Sequence, residues 1–182
     1  MHIDFPTPAK IPALRQLWKT AFGDTDAYLD LFFSAAFSES RCRCVFEDHK
    51  LLSMLYWFPC ACGEKEYAYL YAIATDEASR GKGCCSALME DTHRLLQKEG
   101  YAGCVLVPAD DKLRQFYRRF GYRDFGGISE KTATPAKTPA VFSPIYAEEY
   151  AARRKAFLPE GFIQQEGINL TFLQKLGKFY CG

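Results

Sequence analysis

The run Arg80-Gly81-Lys82-Gly83-Cys84-Cys85-Ser86 stands between a strand-like segment, Tyr67 to Thr75, and a helix-like segment, Ser86 to Glu99. A glycine-rich turn that ends a strand and opens a helix bares several backbone N–H groups at the positive end of the helix dipole. Such a place takes an anion, and best a phosphate or pyrophosphate. Alone, a Gly-x-Gly turn is more readily an ordinary connection. A P-loop is excluded, because Gly-x-x-x-x-Gly-Lys-Ser/Thr does not occur. A dinucleotide site fits poorly, since position 86 is Ser and no acidic residue ends the next strand about 20 residues on.

Around the turn the chain reads as globular. With 48% hydrophobic and 25% charged residues in 182 positions it can bury a core, as one domain or one domain with an appendage. Its 23 basic and 22 acidic residues leave a net charge of +1, which gives no support for nucleic acid or an anionic membrane as partner. No apolar run has the length of a membrane span, and Met1-His2-Ile3-Asp4-Phe5-Pro6 lacks the regions of a signal peptide, so the cytoplasm is expected.

Eight cysteines raise the question of a metal. Cys42, Cys44, Cys60 and Cys62 resemble a four-thiolate zinc set only until they are placed on strands. Arg41 to Glu47 and Leu51 to Phe58 read as a hairpin turning at Asp48-His49-Lys50. A turn centred on His49 sets Cys42 opposite Tyr56 and Cys44 opposite Met54. Cys60 then lies roughly 13 Å along the strand from Cys42's partner, whereas zinc needs four sulfurs at about 2.3 Å. No metal is expected; the thiols read as small buried hydrophobes in a reducing compartment.

Upstream, Thr7-Pro8 opens a helix through Phe22 with Leu14, Leu17, Trp18 and Phe22 inward, and Gly23 ends it. Thr25 caps a second helix with Tyr28, Leu31, Phe32 and Ala35 on its apolar face. Cys60 to Lys65 reads as a turn and Glu66 to Thr75 as a long strand. Gly100 caps the helix after the glycine turn. Gly103 to Val107 is a buried strand, Asp110 or Asp111 caps a helix through Phe120, and Tyr122 to Thr132 returns as a strand. Thr132 to Pro144 looks like an extended connection, followed by a charged helix from Ala147 to Phe157 and an ambiguous terminal stretch from Phe162. The division expected is a core over 1–132 and an extension over 133–182. That extension is read as the start of a second unit, and its final run, Lys178 to Gly182, as a docked terminal strand or the cut edge of a longer protein.

Tyr71 to Leu88 resembles the acetyl-CoA signature of the GCN5-related N-acetyltransferases, known as GNAT: a strand, a short acidic link, then Arg/Gln-x-x-Gly-x-Gly/Ala at a helix start. Arg80, Gly83 and Cys85 stand at its three key positions, Cys85 in place of Gly or Ala. Asp110 to Tyr122 is similar to the family's Asn-x-x-Ala-x-x-(Leu/Phe)-Tyr-x-x-x-Gly-Phe segment, with Phe116, Tyr117, Gly121 and Tyr122 matching in type. Asp110 and Leu113 depart from it. More narrowly, Leu106-Val107-Pro108-Ala109 with Phe116 to Tyr122 resembles the first half of the larger acetyltransferases related to enhanced intracellular survival proteins.

The resemblance implies a mixed, mostly antiparallel α/β sheet with helices on both faces. It implies acetyl-CoA as co-substrate and direct transfer to an amine, small molecule or peptide, with no metal. Backbone at Ile73, Ala74 and Thr75, where a bulge is expected at Ala72 to Ala74, would polarise the thioester. Arg80, Gly81, Lys82, Gly83, Cys84, Cys85 and Ser86 would hold the pyrophosphate, with Phe116 also at the cofactor. Tyr117 is the acid expected for the leaving thiolate, a phenol near pKa 10 being well matched to an alkyl thiol. The base stays open among Glu77, Asp76, Glu39 and a water chain. Without the resemblance, Tyr117 reads as a packed aromatic, His93 as exposed, and Arg114, Arg118 and Arg119 as a solvated face. A non-catalytic acyl-CoA-binding sensor is the alternative function, and a homodimer is a candidate assembly.

Overall fold

The computed structural model describes residues 1–62, 64–127, 162–164 and 178–181. The chain forms two compact units, Met1–Trp57 with Leu70–Lys98, and Phe58–Tyr69 with Glu99–Gly182.

In the first unit, β1 (His2–Asp4) leads to a 3-10 turn at Pro8–Lys10 and helix α1 (Ile11–Phe22). The helix expected from Pro8 thus starts three residues later. Pro12 has no N–H to give the Pro8 carbonyl, and its ring would strike that carbonyl, so an α-turn cannot begin at Pro8. Gly23, at φ 70°, ends α1 with its N–H on the Lys19 carbonyl. Leu14, Leu17 and Trp18 are buried, but Phe22, expected inward, is 46% exposed.

Thr25 caps α2 (Asp26–Ala35) by accepting the Tyr28 N–H on its hydroxyl. Leu29 joins Tyr28 and Phe32 in the core, while Leu31 is half-buried.

The hairpin of β2 (Cys42–Glu47) and β3 (Lys50–Cys62) pairs Cys42 with Tyr56 and Cys44 with Met54, the register expected, by a different route. The turn is two residues long, with Asp48 at φ 47° and His49 at φ 64°. Both are left-handed, which matches the twist of the strands. Glu47 faces Lys50 and Phe46 faces Leu51, but Val45 faces Ser53. Leu52 is an extra residue on β3, and this bulge supplies the one-residue offset that a turn centred on His49 would have given. β1 pairs antiparallel with β2.

β4 (Lys65–Thr75) is the next neighbour of β3. A 3-10 turn at Glu77–Ser79 leads to α3 (Cys84–Lys98). Tyr56 packs its ring on Trp18 and Phe32, so that face of the sheet carries α1 and α2. Arg43 lies on the other face and bonds Asp91 of α3. The first unit is therefore helix on sheet on helix. His93, expected exposed, is half-buried, and burial pushes its pKa down against the pull of Glu90.

The second unit takes the far ends of β3 and β4. β3 runs through Cys62, where a turn was expected, because Cys60–Cys62 pairs antiparallel with β7 (Phe162–Gln164). β4 pairs parallel with β5 (Gly103–Leu106), Tyr67 to Tyr69 against Gly103 to Val105. Helix α4 (Asp111–Arg118) follows, with Asp110 as its cap. It stops two residues short of Phe120: the N–H groups of Phe120 and Gly121 turn back to the carbonyls of Tyr117 and Arg118, and Gly121 sits at φ 88°. β6 (Arg123–Gly127) and β5 both pair antiparallel with β8 (Lys178–Cys181), which lies between them. The terminal stretch is thus a docked strand at 178–181. The expected boundary at 132/133, the connection at 132–144 and the helix at 147–157 lie outside the described residues.

Candidate active site

The candidate site in the first unit is one continuous strand, turn and helix. β4 is broken at Ala72, which takes φ 49°. A left-handed non-glycine residue inside a strand is rare and reverses the direction of its peptide groups. The break expected at Ala72 to Ala74 therefore falls at Ala72, three residues beyond the last pair that β4 makes with β5.

Beyond the break the strand end is pinned. The Ser53 hydroxyl donates to the Ala74 carbonyl at 2.8 Å and lies 2.9 Å from the Thr75 hydroxyl. The Asp76 N–H donates to the carbonyl of Leu52, the bulged residue of β3. The Asp76 carboxylate takes Lys50 Nζ at 3.0 Å and the Ser79 hydroxyl at 3.2 Å. The Lys50 hydrogen bond holds its pKa below the ordinary carboxylate range. Asp76, one of the bases left open, is therefore spent on shaping the turn and is a weak proton acceptor.

Gly81 and Gly83 take φ 74° and 81°, and a Cβ on either would meet nothing within 4 Å. The turn needs glycine for its backbone conformation rather than for room. The first intrahelical bond of α3 runs from the Ala87 N–H to the Gly83 carbonyl. The N–H groups of Cys84, Cys85 and Ser86 stand ahead of that bond, at the N-terminal end of the helix. No acidic residue stands in this first turn, and Arg80 and Lys82 are exposed beside it. Arg80 Nε donates to the Thr75 carbonyl at 3.4 Å, tying turn to strand. Cys84 is buried with its thiol 3.9 Å from the Met1 sulfur, while Cys85 and Ser86 are half-buried. The result is an amide-rich helix start with Arg80 and Lys82 beside it and no acidic residue in its first turn, a kind of place that favours an anion.

In the second unit, Asp110 accepts the Leu113 N–H at 2.7 Å and starts α4. Phe116 and Tyr117 meet edge to face at 5.3 Å, and Tyr117 is buried against Tyr122 at 5.9 Å. Arg119 stacks 4.5 Å from the Phe116 ring, and Arg114 is half-buried 3.5 Å from Asp111. Ile73 to Ser86 are thus brought together in the first unit; Phe116 and Tyr117 belong to the second.

One relationship had no sequence signal. The hydroxyls of Tyr28 on α2 and Tyr71 on β4 lie 2.7 Å apart. They are 43 positions apart in the chain, and nothing local joins them. Cys42 and Cys44 lie with sulfurs 3.6 Å apart, fully buried, and burial pushes the Cys42 thiol well up, so it is held as a neutral thiol. Among the described residues no group of three or more His, Cys, Asp or Glu is placed to hold a metal ion, and no helix is long and apolar enough to cross a membrane.

Against known protein families, residues 2–124 match the model of the Acetyltransferase (GNAT) domain. The chain belongs to the GNAT acetyltransferase family. Among solved structures, a GNAT family acetyltransferase from Brucella melitensis in complex with acetyl-CoA is 24% identical, with a TM-score of 0.56 over 67% of this chain and 82% of that one. A GCN5-related N-acetyltransferase from Anabaena variabilis is 19% identical, with a TM-score of 0.61 over 86% of this chain and 44% of that one. Eis1 from Mycobacterium abscessus is 18% identical, with a TM-score of 0.58 over 77% of this chain and 37% of that one. These likenesses show the GNAT fold, a mixed and mostly antiparallel sheet flanked by helices. This GNAT chain spans less than half the length of the last two relatives. No curated protein matches it.

Proposed function

We propose that this GNAT protein transfers the acetyl group of acetyl-CoA directly to an amine. The observation that carries the reading is the left-handed Ala72 followed, on the same strand–turn–helix, by the glycine turn into α3. The acetyl-CoA bound by the Brucella relative supports the same co-substrate here. Arg80 to Ser86 take the pyrophosphate on backbone N–H groups. Backbone N–H of Ile73 or Ala74 polarises the thioester carbonyl, with Thr75 closing the strand end and Phe116 lining the cofactor. The amine nitrogen forms its bond to the carbonyl carbon, the C–S bond breaks, and Tyr117 gives its proton to the departing thiolate. The amine loses one proton to solvent or to a base that stays open among Glu77, Asp76, Glu39 and a water chain, Asp76 being the weaker acceptor for its bond to Lys50.

One observation favours a second reading, a non-catalytic CoA-binding module: Asp76, one of the carboxylates left open as the base, is paired with Lys50. Release of free CoA thiol in the presence of amines separates the two. Turnover with any amine supports the enzyme; tight CoA binding without turnover supports the module. Gly83→Val tests the loop itself. Calorimetry should show CoA affinity falling by at least tenfold, and an unchanged affinity removes the pyrophosphate assignment.

A further inference from the structure

We infer that the Tyr71 hydroxyl, held in place by Tyr28, hydrogen-bonds the incoming amine and orients it toward the thioester. The inference rests on the acetyltransferase reading above. Tyr71 is the residue immediately before the left-handed Ala72, so it is chained to the break at which the thioester carbonyl is proposed to sit. Its ring is fixed edge-on against Trp18 at 5.6 Å and tilted against Phe32 at 6.4 Å. Tyr28 is 2% exposed, and its ring rests on the same Trp18 at 6.2 Å. With both rings held, the hydroxyls meet at 2.7 Å.

The pair has a donor–acceptor asymmetry that a single tyrosine lacks. Two phenols own two protons and four lone pairs, and their mutual bond uses one of each. Tyr28 is buried, so the outward half of the pair is Tyr71, which is half-buried. A phenolic oxygen offers lone pairs to an amine N–H, and an oxygen fixed by a neighbour loses less freedom in making that bond. Tyr71 is therefore a positioning residue, and Tyr28 acts through it. A pair that serves packing alone would change stability without separating the kinetics of the two substrates.

The experiment compares wild type, Tyr71→Phe, Tyr28→Phe and the double variant. The assay follows CoA thiol release with acetyl-CoA and four amines: 2-phenylethylamine, n-butylamine, spermidine and an Nα-acetylated lysine peptide. Phenylalanine keeps the ring packing, and CoA calorimetry on each variant reports folding. The expected result is an amine KM raised about tenfold in Tyr71→Phe, the cost of one neutral hydrogen bond. The rise should be smaller in Tyr28→Phe and no larger in the double variant than in Tyr71→Phe, with acetyl-CoA KM unchanged throughout. Amine KM equal to wild type in Tyr71→Phe overturns the inference and leaves the acetyltransferase reading standing. Acetyl-CoA and amine KM rising together also overturns it, as a structural effect. Wild type without turnover on any of the four amines overturns the acetyltransferase reading and this inference with it.

Discussion

Arg43 of β2 and Asp91 of α3 clamp that helix to the sheet through one carboxylate oxygen. Nε and Nη2 of Arg43 lie 2.9 Å and 2.5 Å from Asp91 Oδ2, and the same guanidinium donates to the Ile3 carbonyl and stacks 4.7 Å from the Phe5 ring. Arg43 is 8% exposed, so its charge has little water to fall back on. Asp91→Ala should cost about 3 kcal/mol by leaving a buried cation without its main partner. Pairing Asp91→Leu with Arg43→Met should recover most of that loss. Urea denaturation of the single and double variants measures both, and a double variant no more stable than Asp91→Ala would count against the clamp.

Ala72 gives a stability test with an unusual sign. In an ordinary strand Val is favoured over Gly. At φ 49° the order reverses, because a β-branched side chain crowds the left-handed backbone that glycine enters freely. Ala72→Val should be less stable than Ala72→Gly by about 2 kcal/mol. Thermal melting of the two variants decides it; Val above Gly would mean that the residue leaves the left-handed region in solution.

Tyr117→Phe removes one oxygen from a buried ring and keeps its contacts with Phe116 and Tyr122. Turnover should fall by about 10²–10⁴, the usual worth of a general acid, with CoA affinity nearly unchanged. Steady-state kinetics beside calorimetry checks both halves, and full turnover would end the acid assignment.

His93 predicts a pH dependence. Burial disfavours its charged form, so the folded pKa lies below the unfolded value of 6.5. Between the two values the unfolded chain binds more protons, and stability rises with pH. The contribution is complete above about pH 6.5 and is lost as pH falls through the folded pKa. His93→Gln should flatten that part of the stability profile. Denaturation across pH 5 to 8 reads the slope, and an identical slope in the variant would assign it elsewhere.

What the sequence made legible was local. Gly23, Thr25 and Asp110 announced helix ends, because each acts through its own backbone or its neighbour's. The Cys42–Tyr56 register was reached from a turn placed half a residue off, since a compensating bulge at Leu52 could not be seen in the residue types. Pro12 cut the first helix where Pro8 was expected to start it. The strand at Cys60–Cys62 read as a turn because its partner, Phe162–Gln164, lies about a hundred residues away. In the site, the glycine turn was legible as chemistry. The Tyr28–Tyr71 contact was not, since long-range packing leaves no spacing to read.

The position of β8 has a consequence for synthesis. Among the described residues, the strand at Arg123–Gly127 joins the sheet only through Lys178–Cys181. On the ribosome, that strand must therefore wait for more than fifty further residues, several seconds at about 5–20 residues per second. Throughout that interval the open edge of Gly103–Leu106 offers itself to any passing strand. Pairing at this edge of the sheet is thus timed by the synthesis of Lys178–Cys181, and a chain stopped short of that strand would carry an unguarded β-edge.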